Sequence, residues 1–444
     1  MNAQNKEKNL KQLQDICNQT CGAAEAAEVF LTTIEETPVH LESNRVKSIR
    51  SRQSQIVALR IFINGRIGYA TSNSLENPAA LINAATETAT FGSPANFEFP
   101  GPMPFQTPEI FDSTIPSISL KTMVGQAEQM TRTLGKHTQG LVCEGGVSRE
   151  TATVSIVNSS GISQSYNRTE YAIGIGGVLT RGTDMLFVSD EICSCQQFAS
   201  AAPVVESVIR QLEWGGSLAG IITGKVPAIF LPSGVASALL APLMVGFNGK
   251  MVLEKASPLA GKAGRKLLDE KFNLSDDATL ALRPTSRPFD DEGIPSKPCP
   301  LVENGVVKSF YYDLRTAALA GTKSTGHGHR TPGQSSPTPS AFIISAGDTA
   351  LSDMIADIDE GLIIEQLMGA SQGNILGGDF SGNVLLGYKI ENGRIVGRVK
   401  DTVVFGNVYA LLKEIVALGS DARWIGGLFS PSIFVPALSV SSRG

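Results

Sequence analysis

The most concentrated group of ionisable side chains in the sequence is the acidic run Asp290, Asp291 and Glu292, which Gly293 follows. Two of the chain's four histidines, His327 and His329, lie further along the same stretch. Two histidines and one carboxylate can together bind a transition metal. However, two histidines in a glycine-rich loop, with no third ligand at a fixed spacing, are a weak metal signal. The residues alone therefore leave two interpretations open, a chemical site or a solvated acidic turn beside a flexible polar loop.

One serine lies in a pattern associated with nucleophilic catalysis. Residues 369–373 read GASQG and match G-x-S-x-G, in which a sharp turn between a strand and a helix exposes the serine. Residues 362–368 have the composition of a strand, but residues 374–383 are too rich in glycine for a stable helix. We therefore interpret the segment around Ser371 as a glycine-rich turn.

Asparagine-glycine pairs indicate the hairpins that would position these side chains. Asn304-Gly305 and Asn392-Gly393 each lie between runs of alternating apolar residues, which is the strongest short-range signal for a β-hairpin. Asn64-Gly65 predicts a third hairpin, with strands at residues 55–64 and 67–73.

Helices and strands are mixed along the chain and do not alternate regularly as in a doubly wound fold. We predict an α+β fold, with mixed helices and antiparallel strands in the N-terminal part and a strand-rich C-terminal domain. Helical composition occurs at residues 5–21, 77–90, 118–134, 201–218 and 233–245. Strand-like composition occurs at residues 24–42, 140–158, 165–179 and 226–231.

A proline-rich stretch is the best candidate for a domain boundary. Six prolines between residues 91 and 117 interrupt any regular element. We predict an N-terminal α+β domain at residues 1–92, a proline-rich linker at 93–117, a central α+β domain at 118–219 and a strand-rich C-terminal domain at 220–444.

The overall composition excludes several classes of protein. Hydrophobic residues make up 42% and charged residues 18% of the chain, as is typical of a globular protein. A net charge of −5 with scattered basic residues gives no reason to expect a nucleic-acid partner. Residues 1–11 are polar, and no apolar run reaches the ~18 residues of a membrane span. We expect a cytoplasmic protein whose six cysteines are reduced and which has no membrane partner.

Three blocks of the sequence resemble, in the same order, one known family. They are residues 42–73, residues 287–326 with the acidic run and Ser324-Thr325-Gly326, and residues 378–407 with Gly378-Asp379-Phe380-Ser381. These blocks resemble the TldD/PmbA family, the "modulator of DNA gyrase" peptidases. The likeness covers nearly the whole chain.

The resemblance also shows what this sequence lacks. In the catalytic branch of the family a helix carries HExxxH, and a cysteine near the C-terminus completes a zinc site. Residues 232–240, PSGVASALL, contain no histidine or glutamate, and residues 426–432, GGLFSPS, contain no cysteine. The resemblance therefore implies the TldE/PmbA branch, which lacks the motif. We expect this chain to bind no cofactor, and zinc to be bound only by a TldD-like partner.

The role implied for that branch is to pair with a zinc-bearing TldD-like subunit and to enclose a chamber in which unfolded peptides are degraded or matured. No catalytic residue is then expected in this chain. The residues expected at the peptide chamber or the subunit interface are Asp290, Asp291, Glu292, Gly293, His327, His329, Asp379 and Ser381.

Two other functions are compatible with the sequence. The alternative is a self-associating peptide-binding protein with no catalytic partner, so that the partner is a second copy of the chain. A further possibility is an independent hydrolase that uses Ser371 or the His327 loop. In either assembly, the apolar stretch at residues 430–440 is either part of the subunit contact or ordinary core.

Overall fold

The computed structural model describes residues 3–330 and 334–442 and has the predicted α+β fold. The N-terminal half contains α1 (Ala3–Thr20), β1 (Ala26–Glu42), β2 (Arg45–Ile49), β3 (Arg52–Ile63), β4 (Arg66–Ser72), α2 (Pro78–Ala89), a 3-10 helix (Ile115–Ser117), α3 (Leu120–His137), β5 (Leu141–Asn158), β6 (Ser163–Arg181), β7 (Asp184–Ser194) and α4 (Ala202–Trp214).

The C-terminal half is rich in short strands. Its elements are β8 (Gly224–Phe230), α5 (Pro232–Ala238), α6 (Leu240–Phe247), α7 (Gly249–Leu253), β9 (Leu274–Asp276), β10 (Cys299–Glu303), β11 (Val306–Val307), α8 (Leu314–Leu319), β12 (Gly328–Arg330), β13 (Ser335–Pro337), β14 (Phe342–Ile344), α9 (Leu351–Ala356), β15 (Glu360–Met368), 3-10 helices at Ala370–Gln372 and Ile375–Gly377, β16 (Asp379–Glu391), β17 (Arg394–Arg398), β18 (Thr402–Asn407), α10 (Val408–Leu411), β19 (Ala417–Leu418), β20 (Arg423–Ile425), β21 (Leu428–Ser430) and β22 (Ile433–Ser442).

Local sequence signals account for several of these elements. The side chain of Asn77 caps α2 by accepting a hydrogen bond from the backbone N–H of Ala80, and Pro78 occupies the first turn, as the sequence predicts. Asn64 and Gly65 both have positive φ angles, 50° and 67°, which is the backbone of a tight hairpin turn. The same turn occurs at Asn304 and Asn392, so all three predicted hairpins are confirmed.

One antiparallel sheet extends across the N-terminal half. Its strand order is β4-β3-β1-β5-β6-β7, and β2 pairs with β1 outside this order. β1 and β5 pair along their length, from Glu28 opposite Asn158 to Leu41 opposite Gly145. Strands from both sides of the proline-rich stretch at residues 93–117 are therefore neighbours in a single sheet.

The two faces of this sheet have different neighbours, because successive side chains of a strand point to opposite faces. On β1, Val29 and Leu31 pack in a core with α1 and α2, and Val39 packs in a core with α3. Between Thr32 and Pro38 the alternate residues of β1, among them Glu36, are only partly buried. That second face, which we call the groove face, points toward loops and helices of the C-terminal half.

Five strands of the C-terminal half form a closed ring of pairings. The order β15-β8-β22-β18-β16 is closed because β15 also pairs with β16, and β17 is added outside it. Phe230, Ile364, Phe380 and Val435 contribute to its core. The stretch at residues 430–440 is core, because Ile433 and Val435 are fully buried and β22 lies between β8 and β18. Of the two alternatives for residues 430–440, this burial supports ordinary core.

The predicted helix at residues 233–245 forms as two helices, α5 and α6, which meet at Leu239. α5 lies very close to β15, since a Cβ atom added at Gly234 would come within 2.2 Å of the carbonyl oxygen of Ile364. Among the described helices, none is long and apolar enough to cross a membrane.

Two glycine-to-alanine substitutions in helices should have opposite effects on stability. Gly234→Ala should destabilise the protein, because α5 would have to move away from β15. Gly125→Ala in α3 has no neighbouring atom within 4 Å of the new methyl group, so it should stabilise by up to about 1 kcal/mol through helix propensity. Urea denaturation of both variants measures the difference. A Gly234→Ala variant as stable as Gly125→Ala would contradict the close packing of α5.

Candidate functional site

The acidic run does not form a solvated turn. Glu292 is fully buried and accepts a hydrogen bond from Nη1 of Arg60 on β3 at 2.6 Å. Arg60 also donates to Oε1 of Glu28 on β1 through Nε at 3.1 Å and Nη2 at 2.7 Å. The guanidinium of Arg330, on β12, donates to the same oxygen of Glu28. We call Glu28, Arg60, Glu292 and Arg330 the charged clasp, because they join the N-terminal sheet to the C-terminal half.

The charged clasp is neutral overall, with two arginines and two glutamates. Burial disfavours the charge on Arg60, but Glu28 and Glu292 outweigh this effect and raise its pKa. Phe97 and Phe99, from the proline-rich stretch, lie over the guanidinium of Arg60 with ring centroids at 5.1 Å and 5.0 Å. The stretch at residues 93–117 therefore covers the clasp.

The two aspartates of the acidic run organise backbone turns. Asp290 is fully buried, and its carboxyl group accepts hydrogen bonds from the backbone N–H groups of Glu292, Ile294 and Gly328 at 3.0, 2.9 and 2.8 Å. Burial, followed by the charge of Glu292, raises the pKa of Asp290 to about 8. Gly293 has a φ of 80°, so a residue without a side chain suits this turn.

Asp291 is held differently from Asp290. Its Oδ2 accepts hydrogen bonds from the backbone N–H of Arg330 at 2.8 Å and lies 3.0 Å from Nδ1 of His329. Burial acts to raise the pKa of Asp291, but the hydrogen bond from His329 and the charge of Arg287 outweigh it and lower this pKa. Asp291 therefore carries a negative charge that its neighbours stabilise.

The two histidines have separate partners, and neither lies in a flexible loop. His327 is buried, and its Nε2 lies 2.9 Å from Oδ2 of Asp276 while Nδ1 lies 2.8 Å from the hydroxyl of Thr325. His329 lies on the short strand β12 and contacts Asp291. Because each histidine contacts a different carboxylate, these residues do not converge on a shared metal position.

The remaining candidates lie elsewhere. Asp379 and Ser381 are exposed residues of β16, where Asp379 accepts a hydrogen bond from the side chain of Asn407 at 2.8 Å. Ser371 is exposed in a 3-10 helix after β15, and a second 3-10 helix precedes β16. The absence of an α-helix between β15 and β16 agrees with the interpretation of GASQG as a turn. A role for Asp379 and Ser381 in a chamber or interface stays a prediction.

A cavity of about 820 Å³ lies on the groove face, and the sequence did not indicate it. We call it the central cavity. Its floor is formed by β1, β5, β6 and β7, and its opposite wall by α5, β15 and β20. The floor contains glycine where a side chain would not fit. A Cβ atom at Gly146, where φ is 159°, would come within 2.0 Å of the carbonyl oxygen of Val39. The consecutive strands β5, β6 and β7 build this cavity only together with β1, α5, β15 and β20, which are distant from them in sequence, so no local motif marks it.

The lining of the central cavity is acidic. Three of its carboxylates have ion-pair partners, namely Glu36 with Arg52, Asp190 with Arg423 and Glu365 with Arg210. Glu144 and Glu191 have no ion-pair partner among the described residues. The cavity therefore favours a neutral or cationic occupant over an anionic one.

The helix α5 lines this cavity but offers it no side chain that binds zinc. α5 contributes Ser233, Ala236 and Ser237 to the lining, and zinc is bound by cysteine, histidine or carboxylate side chains. His40 is the one histidine in the described lining. Within residues 3–330 and 334–442, no group of three or more histidine, cysteine, aspartate or glutamate side chains is arranged to hold a metal.

Comparison with known proteins agrees with this fold. Residues 27–89 match the model of PmbA/TldA metallopeptidase domain 1, and residues 223–442 match that of the PmbA/TldA metallopeptidase C-terminal domain. The chain is 25% identical to a metalloprotease PmbA homolog of Haemophilus influenzae, over 95% of this chain and 93% of that protein. It is 27% identical to an uncharacterised protein of Methanocaldococcus jannaschii, over 91% of this chain and 94% of that protein.

A solved structure, that of TldE from Thermococcus kodakarensis, has the same fold. It superposes with a TM-score of 0.86 at 23% identity and covers 97% of this chain and 100% of the other. The fold and the two domain matches define a protein of the PmbA/TldD metallopeptidase type. The chain belongs to the TldD/PmbA family.

The charged clasp predicts a large difference between two arginines of the same strand. Arg60→Ala leaves Glu28 and Glu292 buried with fewer partners, so it should destabilise the protein by about 3–5 kcal/mol. Arg52→Ala removes an exposed ion pair with Glu36 and should cost about 0–1 kcal/mol. The free energy of unfolding in urea measures both. Similar losses for the two variants would show that the clasp does not stabilise the fold.

Asp290 should make stability depend on pH. Its pKa of about 8 exceeds the ordinary value of 3.8, so the folded protein keeps a proton that the unfolded chain releases. The contribution to stability therefore falls as pH rises from about 4 to about 8 and is constant above that range. Asp290→Asn should be less stable, because an amide removes an acceptor for backbone N–H groups, but its stability should fall less steeply between pH 6 and 8. Identical slopes in denaturation curves would contradict this assignment.

Proposed function

We propose that this chain is a PmbA/TldE-like subunit of a TldD/TldE-type metallopeptidase complex that degrades or matures unfolded peptides. The chain contributes walls of the peptide site, and a zinc-bearing TldD-like partner supplies the metal. The observation that supports this most directly is the position of α5, which lines the central cavity with Ser233, Ala236 and Ser237 in place of metal ligands.

The central cavity can accept an extended peptide through its backbone. β20, which lines the cavity with Arg423 and Ile425, is an edge strand that pairs with β21 alone among the described strands. An edge strand can bind an extended segment by main-chain hydrogen bonds, which do not depend on the identity of the peptide's side chains. A cavity of about 820 Å³ is within the ordinary range of ligand sites. Recognition of this kind suits unfolded chains of varied sequence.

A self-associating peptide-binding protein would use the same cavity without a metallopeptidase partner. The two functions predict different behaviour. The self-associating protein forms its assembly alone, whereas the PmbA/TldE-like subunit gives activity only with a TldD-like partner. In both cases the assembly needs an interface of at least ~1,000 Å². Light scattering therefore tests assembly: a mass of 46.9 kDa that a TldD-like partner leaves unchanged would contradict both.

Reconstitution tests the proposed function. The purified chain should contain no stoichiometric zinc and should not cleave an alkylated, unfolded polypeptide. Adding the purified zinc-bearing TldD-like protein of the same organism should produce cleavage, because the partner supplies the metal and this chain completes the site. Elemental analysis and product mass spectrometry measure the two results. About one zinc per chain, or cleavage by the chain alone, would contradict the proposal.

A matched pair of variants separates the central cavity from general effects on folding. Ala236→Arg places a long side chain in the cavity and should strongly reduce cleavage by the reconstituted complex. Ala202→Arg makes the same substitution at an exposed position at the start of α4, outside the cavity, and should leave cleavage unchanged. Equal activity of the two complexes would show that the peptide does not occupy the central cavity.

A further inference from the structure

A second pocket, of about 270 Å³, lies on the same groove face, toward the charged clasp. It lies between β1, β3, β5 and β6 on one side and residues 285–291 with β12 on the other. On β1, Phe30, Thr32 and Ile34 line this pocket, and the next residues of the same face, Glu36 and Pro38, line the central cavity. The two spaces therefore follow one another along one strand. We call the smaller one the end pocket.

The end pocket has an apolar wall. Ile34 and Ile56, together with Ala58 and Val154, line it from neighbouring strands, and Phe30 closes it beside Arg330. Such a wall favours an aliphatic or aromatic group of a ligand over a polar one. The acidic lining of the central cavity does not continue into this wall.

Hydrogen-bond donors line the end pocket on both sides. Tyr166 and Arg168 lie on β6, and Ser286 and Arg287 lie on the opposite side. Ser286 is 1% exposed, and its hydroxyl has no hydrogen-bond partner among the described residues. The Nε of Arg287 is likewise buried with no partner in the described chain. Buried polar groups in native proteins are normally hydrogen-bonded, so two unpaired groups on adjacent residues of a pocket wall indicate a missing partner.

Among the described residues the neighbouring acids form no ion pair with Arg287 and contact only one edge of Arg168. Asp291, which also lines the end pocket, accepts from the backbone of Arg330 and contacts His329. Glu150 pairs with Arg168 at 3.0 Å, at one edge of the guanidinium. Burial, followed by the charge of Asp291, raises the pKa of Tyr166 to about 12, so its phenol is a neutral donor at physiological pH. The end pocket thus combines hydroxyl and guanidinium donors.

We propose that the end pocket binds a carboxylate carried on an apolar group, with Ser286 and Arg287 as donors to the carboxylate and the isoleucine wall against the apolar group. Two sources share this chemistry, the C-terminal residue of a peptide with an aliphatic side chain and a free branched organic acid. The peptide source rests on the proposed function, whereas the site itself does not. A peptide bound there by its C-terminus would extend along β1 toward the central cavity.

Calorimetric titration of the purified full chain tests the site. The probes are Ala-Ala-Leu with a free carboxylate, the same peptide as its C-terminal amide, and 4-methylpentanoate, which carries the leucine side chain on a carboxylate. We expect the free peptide to bind and the amide to bind about tenfold more weakly or not at all, because the amide loses the charge-assisted hydrogen bonds.

Two variants and a control identify the donors. Ser286→Ala should weaken binding of the free peptide about three- to tenfold, as for a lost hydrogen bond, without lowering the free energy of unfolding, since the hydroxyl has no partner in the described protein. Arg287→Gln should weaken it further. Arg52→Gln, on the same sheet but exposed and outside the pocket, should not change binding.

The outcomes separate the two ligand sources and the two proposals. Binding of the peptide but not of 4-methylpentanoate supports a peptide C-terminus, and equal affinity supports a free acid. Binding of neither, equal affinity for the amide, or unchanged affinity in both pocket variants would overturn the end-pocket proposal. Carboxylate binding without activity in the reconstituted complex would refute the proposed function alone, and activity without carboxylate binding would refute the end pocket alone.

Discussion

The buried interaction between Arg60, Glu28 and Glu292 determines how the two halves of this protein face one another. Ions removed from water are costly unless geometry and hydrogen bonding compensate, and here the guanidinium of Arg60 contacts Glu28 on one edge and Glu292 on another. β1 and β3 supply Glu28 and Arg60, whereas the acidic run and β12 supply the other two members. A shift of either half would separate buried charges, so the clasp favours one arrangement of the sheet against the C-terminal ring.

That arrangement creates the functional surface. With α1, α2 and α3 on one face, the sheet offers its groove face to the loops and helices of the C-terminal half that line the two cavities, while residues of β8, β15, β16 and β22 join the core that contains α3. The charged clasp, the end pocket and the central cavity then occupy successive positions along β1, from Glu28 through Thr32 to His40. The acidic run holds backbone turns and the two halves of the chain in position. The space for a ligand lies beside it. The central cavity is bounded by α5 on the side opposite the sheet.

The sequence predicted those elements whose cause is local. Asn77 and Pro78 begin α2, and Asn64, Asn304 and Asn392 close hairpins, because caps and tight turns depend on a few adjacent residues. Long-range contacts were not predictable. The burial of His327 was missed because nothing nearby in sequence reveals Asp276 as its partner. Nothing in the sequence of the proline-rich stretch indicates that Phe97 and Phe99 cover Arg60. The central cavity likewise forms only when four strands pair in register.

The closed ring of the C-terminal half has a consequence for biosynthesis. β22, the last strand of the chain, lies between β18 and β8, and β8 is the first strand of the same ring. β8 therefore lacks β22 as its neighbour until the strands from β9 to β21 have been synthesised. Contacts between residues so distant in sequence form slowly, and unpaired strands exposed during that interval are prone to associate with other chains. The N-terminal sheet, whose strands are all complete by Ser194, can pair first. Folding during translation would then proceed from the groove face toward the ring, which closes only after β22 has been synthesised.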